Sequence, residues 1–148
     1  MDSHNDEPVL VGRFDVPLDA SGSFLVPEEW RFMMRNGGDV CLVTDLHEKC
    51  LLLLTKKALD DEVALLKRSH DLDAPIMLDQ ITKNAHVVSV AGDGRIVIPI
   101  ALRTQVGITS SATLLGSVRV IKVWATDVLA EKEKEEPTWD CIEAAMKK

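Results

Sequence analysis

Apolar residues along this chain recur mostly in short runs with the spacing of β-strands. Phe14, Val16 and Leu18 alternate with Arg13, Asp15 and Pro17, which is the period of two expected of a strand with one buried face. The runs "VCLVT", "CLLLLT", "ATLLG" and "VIKVW" are too short to be independent helices. They predict buried strands that pair with one another.

Helical spacing is found in the segments that connect these runs. In "KKALDDEVALLKRSH" apolar residues return every three or four positions among charged ones, and Pro75 then ends or restarts the helix. We expect this segment to be a connecting helix that covers the strands. After Trp124 a second helix is predicted to run into the charged stretch "EKEKEE" and to be broken at Pro137.

The chain contains an internal repeat. At an offset of 72 residues the pattern GxxxxPxxxR occurs twice, with aligned pairs Gly22 and Gly94, Pro27 and Pro99, and Arg31 and Arg103. In each copy the glycine marks a tight turn, and the proline marks the start of a short helix that ends near Gly37 or Gly107. Each copy therefore predicts the order strand, turn, strand, short helix, strand, turn, strand.

The predicted fold is mainly β with α. Neither copy has enough strands to bury both of its faces, so two intertwined βαβ repeats are expected to close a small barrel with flanking helices and no exposed strand edges. The expected division is a first repeat at 10–59, a helical connector at 60–84, a second repeat at 85–130 and a charged helical tail at 131–148, all in one compact domain.

The residue content argues against an enzyme, a metal site and a membrane protein. Cys41, Cys50 and Cys141 lack CxxC spacing and are expected to be buried free thiols, the four histidines are scattered, and GxSxG and phosphate-loop motifs are absent. No stretch approaches the roughly 20 apolar residues of a membrane span, and the first ten residues are acidic, unlike a secretory signal. We expect a cytoplasmic protein without catalytic residues, cofactor, metal, membrane partner or small-molecule substrate.

Charge is distributed unevenly between the two copies. The chain as a whole has a net charge of −7. Residues 12–54 carry four basic and seven acidic groups, whereas residues 85–124 carry four basic groups and one acidic group. The second copy is therefore predicted to present a basic patch suited to DNA. The alternative for Arg103 and Arg119 is that they pair with carboxylates from other segments, while Arg95, in a turn, is expected to be exposed.

The two copies resemble a known family. "GRFDVPLDASGSFLVPEEWR" and "VVSVAGDGRIVIPIALRTQVG" are similar to MraZ proteins, bacterial transcriptional regulators of the division and cell wall cluster, and the resemblance covers roughly residues 10–132. It implies two AbrB-like repeats in a double-psi, swapped-hairpin barrel. It also implies a ring-shaped homo-oligomer that binds direct repeats in promoter DNA, and hence a nucleoid-associated protein.

The DNA-binding signature of that family is DxxxR, once per repeat in the first hairpin turn, and both copies are incomplete here. The first copy has Asp19 but Ser23 at the arginine position, and the second has Arg95 but Ala91 at the aspartate position. The resemblance implies that Arg95 is the main DNA contact. We expect Asp93, inside the second turn, to orient Arg95 in place of the missing aspartate.

Two functions follow as hypotheses. The first is a sequence-specific DNA-binding transcriptional regulator, with candidate DNA-binding residues Arg95, Asp93, Asp19, Ser23, Arg103 and Arg31, and turn-forming residues Gly22, Gly94, Pro27 and Pro99. Because Arg31 and Arg103 lie on short helices, they face either DNA or a structural carboxylate. The alternative is a structural or protein-interaction ring that has lost DNA binding through its incomplete signatures.

Overall fold

The computed structural model describes residues 9–34, 39–45, 47–135 and 146. The strands are β1 (Arg13–Pro17), β2 (Ser23–Leu25), β3 (Val40–Asp45), β4 (Cys50–Thr55), β5 (Ala85–Val88), β6 (Arg95–Val97), β7 (Ser111–Ser117) and β8 (Val120–Ala125). The helices are a 3₁₀ helix (Glu28–Met34), α1 (Lys56–Arg68), α2 (Ala74–Asn84), α3 (Ile100–Val106) and α4 (Thr126–Glu133). Both copies follow the predicted order of strands, turns and short helix.

Six strands form one antiparallel sheet in the order β1-β7-β8-β4-β3-β5, and β2 pairs with β6 in a separate two-stranded ribbon. In the repeat, β1, β3 and β4 of the first copy correspond to β5, β7 and β8 of the second. Exchanging these strands reverses the order of the sheet, which means that a pseudo-twofold axis relates the copies and passes between β8 and β4. The first strand of each repeat pairs with the third strand of the other, β1 with β7 and β5 with β3. The two repeats are therefore intertwined, as predicted.

The predicted closed barrel is not formed by the described residues. β1 and β5 are the opposite edges of an open sheet, and the ribbon packs beside that sheet as a second layer. The physical reason lies in the ribbon strands, which have three residues each and run into Pro27 and Pro99 two residues later. Proline lacks the N–H that a continuing strand would need to extend the ladder along the sheet edges.

The main core fills the space between the sheet and the layer made by the ribbon and short helices. Its largest buried side chains include Trp30, Phe24, Leu42, Leu53, Ile96, Ile98, Leu114 and Ile121. Trp30 Nε1 donates a hydrogen bond to the Val11 carbonyl at 3.0 Å, and its ring meets Phe14 edge-on with centroids 4.8 Å apart. The indole is thus buried with its polar atom satisfied.

The opposite face of the sheet is covered by helices. α1 and α2 pack over β3 and β4, and α4 packs over β7 and β8. Pro75 lies in the first turn of α2, so it restarts the helix as predicted. Cys41 and Cys50 are buried free thiols under these helices, as expected. Within the described ranges, no helix has both the length and the apolar character required to cross a bilayer.

The short helices begin one residue later than the sequence indicates. Pro99 is the N-cap of α3, with extended backbone, and its carbonyl accepts the N–H of Leu102 at 3.0 Å. Gly107 ends α3 in the left-handed conformation at φ 78°, as predicted. The predicted glycine stop at Gly37 and most of the predicted tail, 136–145 and 147–148, lie outside the described residues.

Candidate functional site

The first turn of each repeat has the same conformation. Gly22 and Gly94 adopt φ values of 85° and 91°, which L-residues rarely adopt. The turns close with the same pair of backbone hydrogen bonds at 2.9 to 3.0 Å, joining Asp19, Gly22 and Ser23 in the first copy and Ala91, Gly94 and Arg95 in the second. The backbone of the signature is thus retained in both copies although the side chains differ.

The ribbon joins the two turns, one at each of its ends, and only three paired residues separate them. Val26 N–H donates to the Gly94 carbonyl at 3.1 Å, and Ile98 N–H donates to the Gly22 carbonyl at 3.0 Å. In the same ribbon Leu25 is directly opposite Arg95. A side chain from one turn can therefore reach the side chains of the other.

Asp19 is the acceptor at the centre of the first turn. Its Oδ1 accepts hydrogen bonds from Ser21 N, Ser21 Oγ and Ser23 N, at 3.0, 2.7 and 2.9 Å, and its Oδ2 accepts one from Ser23 Oγ at 2.6 Å. The Ser23 hydroxyl, followed by the Ser21 hydroxyl, holds the pKa of the Asp19 carboxyl well below its ordinary value. Asp19 is therefore an ionised turn cap at neutral pH.

Arg95 reaches from the second turn to the first. Its Nη1 donates to Ser23 Oγ at 3.2 Å and lies 3.9 Å from Asp19 Oδ2, while its Nε lies 3.8 Å from Asp93 Oδ2. The aspartate of one incomplete signature and the arginine of the other thus face each other. We call this group of four residues, Asp19, Ser23, Asp93 and Arg95, the composite turn site.

The composite turn site presents a held but accessible guanidinium. The Arg95 side chain is 42% exposed, and no residue within the described ranges accepts a hydrogen bond from its Nη2. A guanidinium with free donors can bind a phosphate or the O6 and N7 edge of guanine in a bidentate manner. The arrangement is suited to recognising an anion or a base edge.

Arg31 and Arg103 are placed differently from Arg95. Their Nε atoms donate to the backbone carbonyls of Val26 and Ile98, at 3.0 and 2.9 Å. Each guanidinium packs against the turn glycine of the other repeat, Arg31 against Gly94 and Arg103 against Gly22. The structure therefore brings both arginines to the two turns, where they contact backbone and, among the described residues, no carboxylate.

The basic excess of the second copy does not form a continuous patch. Arg119 pairs with Asp61 at 3.0 Å, and Lys122 pairs with Glu48 at 2.9 Å, both on the helix-covered face of the sheet. The carboxylate pairing left open for Arg119 is thus observed. Among the basic residues of this copy, Arg95 is the one that points out of the ribbon.

One cluster of described residues has metal-ligand types. Asp45, Glu48 and Cys50 bring one ligand atom each within 4.8 Å of one another. Burial raises the pKa of the Cys50 thiol to about 12, so in this structure the thiol is neutral near pH 7. Lys122 Nζ donates a hydrogen bond to Glu48 Oε1 at 2.9 Å, so the negative charge of Glu48 is balanced by a cation of the protein itself.

Reasoning from the sequence did not find the pairing of the two half-signatures. Ser21 was also missed, although a serine two residues after an aspartate is a known signal of a side-chain-capped turn. The repeat could also have indicated that the two turns meet. When two intertwined copies are related by a twofold axis and equivalent strands pair, the equivalent turns are brought to the two ends of one short ribbon. The contact between Asp19 and Arg95 follows from that symmetry.

Comparison with known proteins identifies relatives over most of the chain. No family model matches it. Proteins named transcriptional regulator MraZ are similar in Bacteroides fragilis (25% identical, covering 86% of this chain and 84% of the relative), Yersinia enterocolitica (28%, 82% and 89%) and Hydrogenovibrio crunogenus (26%, 76% and 76%). These relatives are named as regulators and not as enzymes. Over most of its length, and with two repeats that each contain the same turn, the chain is therefore similar to proteins named as transcriptional regulators of the MraZ type.

Proposed function

We propose that this chain is a sequence-specific DNA-binding regulator of transcription, and that the composite turn site is its DNA contact. The observation that carries the proposal is the Arg95 guanidinium, which is exposed on the outer face of the ribbon and hydrogen-bonded to Ser23 of the other repeat. The naming of the relatives as transcriptional regulators supports it. A side chain that is already oriented loses less conformational entropy when it binds.

The net charge of the composite turn site indicates how such a protein would bind DNA. Asp19, Asp93 and Arg95 together carry one negative charge, so a single site has little attraction for phosphates. We propose that subunits form a ring-shaped homo-oligomer at the nucleoid in the cytoplasm, in which several sites engage direct repeats in promoter DNA at once. Linked sites bind through effective concentration, which compensates for weak individual contacts.

An exposed apolar surface supports self-association. Val9, Val11 and Val118 are all exposed, and their backbones are close to one another because Leu10, between the first two, pairs with Val118. Contiguous apolar residues on a surface are typical of protein interfaces. We expect light scattering to give one discrete mass of several subunits, and Val11→Glu to lower that mass. A monomeric wild-type protein would contradict the ring.

The test of DNA binding is a fluorescence anisotropy titration of labelled upstream DNA at two salt concentrations. Arg95→Ala should weaken binding and reduce the slope of log affinity against log salt by about 0.9 for each phosphate that the variant no longer binds. Arg119→Ala is the matched control, because it removes an arginine of similar exposure that pairs with Asp61 away from the turns. Identical curves for wild type and Arg95→Ala would overturn the assignment of the site.

The net negative charge of the composite turn site also favours a second candidate, a ring that has lost DNA binding and recruits a protein. In that case Asp93 and Asp19 would serve to neutralise Arg95, and the oligomer would form normally. Light scattering would then show an intact ring while the anisotropy of the labelled DNA stays constant even at low salt. Salt-sensitive binding by the wild-type protein would exclude this candidate.

A further inference from the structure

The outer face of the ribbon carries two apolar side chains that the core does not use. Alternation along the strands sends Phe24 and Ile96 into the core, and it leaves the other side chains of the paired segment on the outer face: Ser23, Leu25, Arg95 and Val97. Leu25 is 40% exposed and Val97 is 48% exposed. Both therefore present methyl groups on the surface from which Arg95 projects.

The register of the ribbon fixes how these four side chains are arranged. Ser23 is opposite Val97, and Leu25 is opposite Arg95. Because Arg95 Nη1 reaches Ser23 Oγ, the arginine crosses the patch along one diagonal. Leu25 and Val97 occupy the two remaining corners, one on each side of the guanidinium. They are also equivalent under the 72-residue repeat, so the pseudo-twofold relates them to each other.

We infer that Leu25 and Val97 contact thymine methyl groups on either side of the base pair that Arg95 reads. This inference rests on the proposed DNA binding. The major groove admits a two-stranded β-ribbon, and the C5 methyl of thymine is the apolar group that it displays among hydrogen-bonding base edges. A central guanidinium between two aliphatic side chains matches guanine acceptors flanked by such methyl groups.

The test removes the methyl group from the DNA and leaves everything else in place. Each thymine of the bound site is replaced in turn by uracil, which pairs identically, and the affinity of the wild-type protein is measured by anisotropy. We expect one or two positions next to the Arg95-dependent base pair to lose about fourfold in affinity, the factor that corresponds to one buried methyl group. Replacing thymines farther from that base pair should leave the affinity unchanged.

The protein side of the test uses Leu25→Ala and Val97→Ala. For each variant, replacing thymine by uracil at one position should no longer change the affinity, because the side chain that contacted that methyl group is gone. Val87→Ala, which truncates an exposed valine on edge strand β5, is the control and should keep the wild-type preference for thymine. If the protein binds DNA through Arg95 but every uracil site binds like thymine, the inference is overturned and the proposed function stands. If the wild-type protein binds no DNA, both fail.

Discussion

The guanidinium of Arg103, in the second repeat, packs directly against the α-carbon of Gly22, in the first. A Cβ atom added to Gly22 would lie 2.5 Å from Arg103 Cζ, and one added to Gly94 would lie 3.1 Å from Arg31 Nε. Each repeat thus supplies the arginine that supports the other repeat's turn. The packing around the turns that present Asp19 and Arg95 therefore depends on both repeats.

We expect Gly22→Ala to lower the free energy of unfolding by about 1–3 kcal/mol. The φ of 85° is unfavourable for alanine, and the new methyl group would push Arg103 away from the Ile98 carbonyl to which it donates. The measurement is urea unfolding at a fixed protein concentration. Gly92→Ala is the control, since no atom lies within 4 Å of its added Cβ. Equal stability of the two variants would contradict the packing of Arg103 on the turn.

Arg103 and Arg95 should differ in what their loss affects. Arg103→Met keeps an unbranched chain but removes the donor to the buried carbonyl of Ile98, and we expect a stability loss of about 1–3 kcal/mol. Its DNA affinity should keep the wild-type salt slope. Arg95→Met should keep the wild-type free energy of unfolding, and its DNA affinity should depend less steeply on salt. A steep loss of salt dependence in Arg103→Met, with normal stability, would instead make Arg103 a DNA contact.

Ser23→Arg tests whether the missing half of the first signature can be restored. Ser23 itself is only 3% exposed, but the pseudo-twofold makes it equivalent to Arg95, which shows that an arginine there has a path to the surface. We expect the salt slope to steepen by about 0.9 for each additional phosphate that is bound. Ser23→Ala, which removes the hydroxyl without adding charge, is the control. An unchanged slope in a well-folded Ser23→Arg variant would contradict the equivalence of the two positions.

The ion pair between Glu48 and Lys122 should contribute to the pH dependence of stability. A hydrogen bond from Lys122 lowers the pKa of Glu48, and the same bond raises the pKa of Lys122. The Glu48 contribution is therefore complete above the ordinary glutamate pKa of about 4.3 and is lost as pH falls through the lower native value. The Lys122 contribution is complete below about 10.4 and is lost as pH rises through the higher native value.

Glu48→Gln should accordingly cost up to about 1 kcal/mol at pH 7, and the difference from wild type should shrink near pH 3. Urea unfolding at the two pH values measures it. Glu62→Gln, on the exposed surface of α1, is the control and should match wild type at both. A difference for Glu48→Gln that is the same at pH 3 and pH 7 would show that the loss comes from packing and not from charge.

The strands and turns could be predicted because their signals are local. Phe14 and Val16 alternate with polar residues, Gly22 and Gly94 mark positive-φ turns, and the apolar runs of β3, β4, β7 and β8 are too short for helices. The prediction of a closed barrel was wrong. A barrel closes only if the ribbon strands also pair with the edges of the sheet, and these strands have three residues each. That pairing depends on distances between layers, which no local pattern encodes.

The sequence by itself determined the repeat, its order of elements, the burial of Cys41 and Cys50, and the incomplete state of both signatures. It also singled out Arg95, because an arginine beside a turn glycine has little to pack against. Only the tertiary structure decided that Asp19 and Arg95, 76 positions apart, share one site. The pairing of β2 with β6 sets that distance, and the same pairing places Arg103 on Gly22. Contacts between repeats depend on strand exchange, which is a property of the whole fold and not of any single segment.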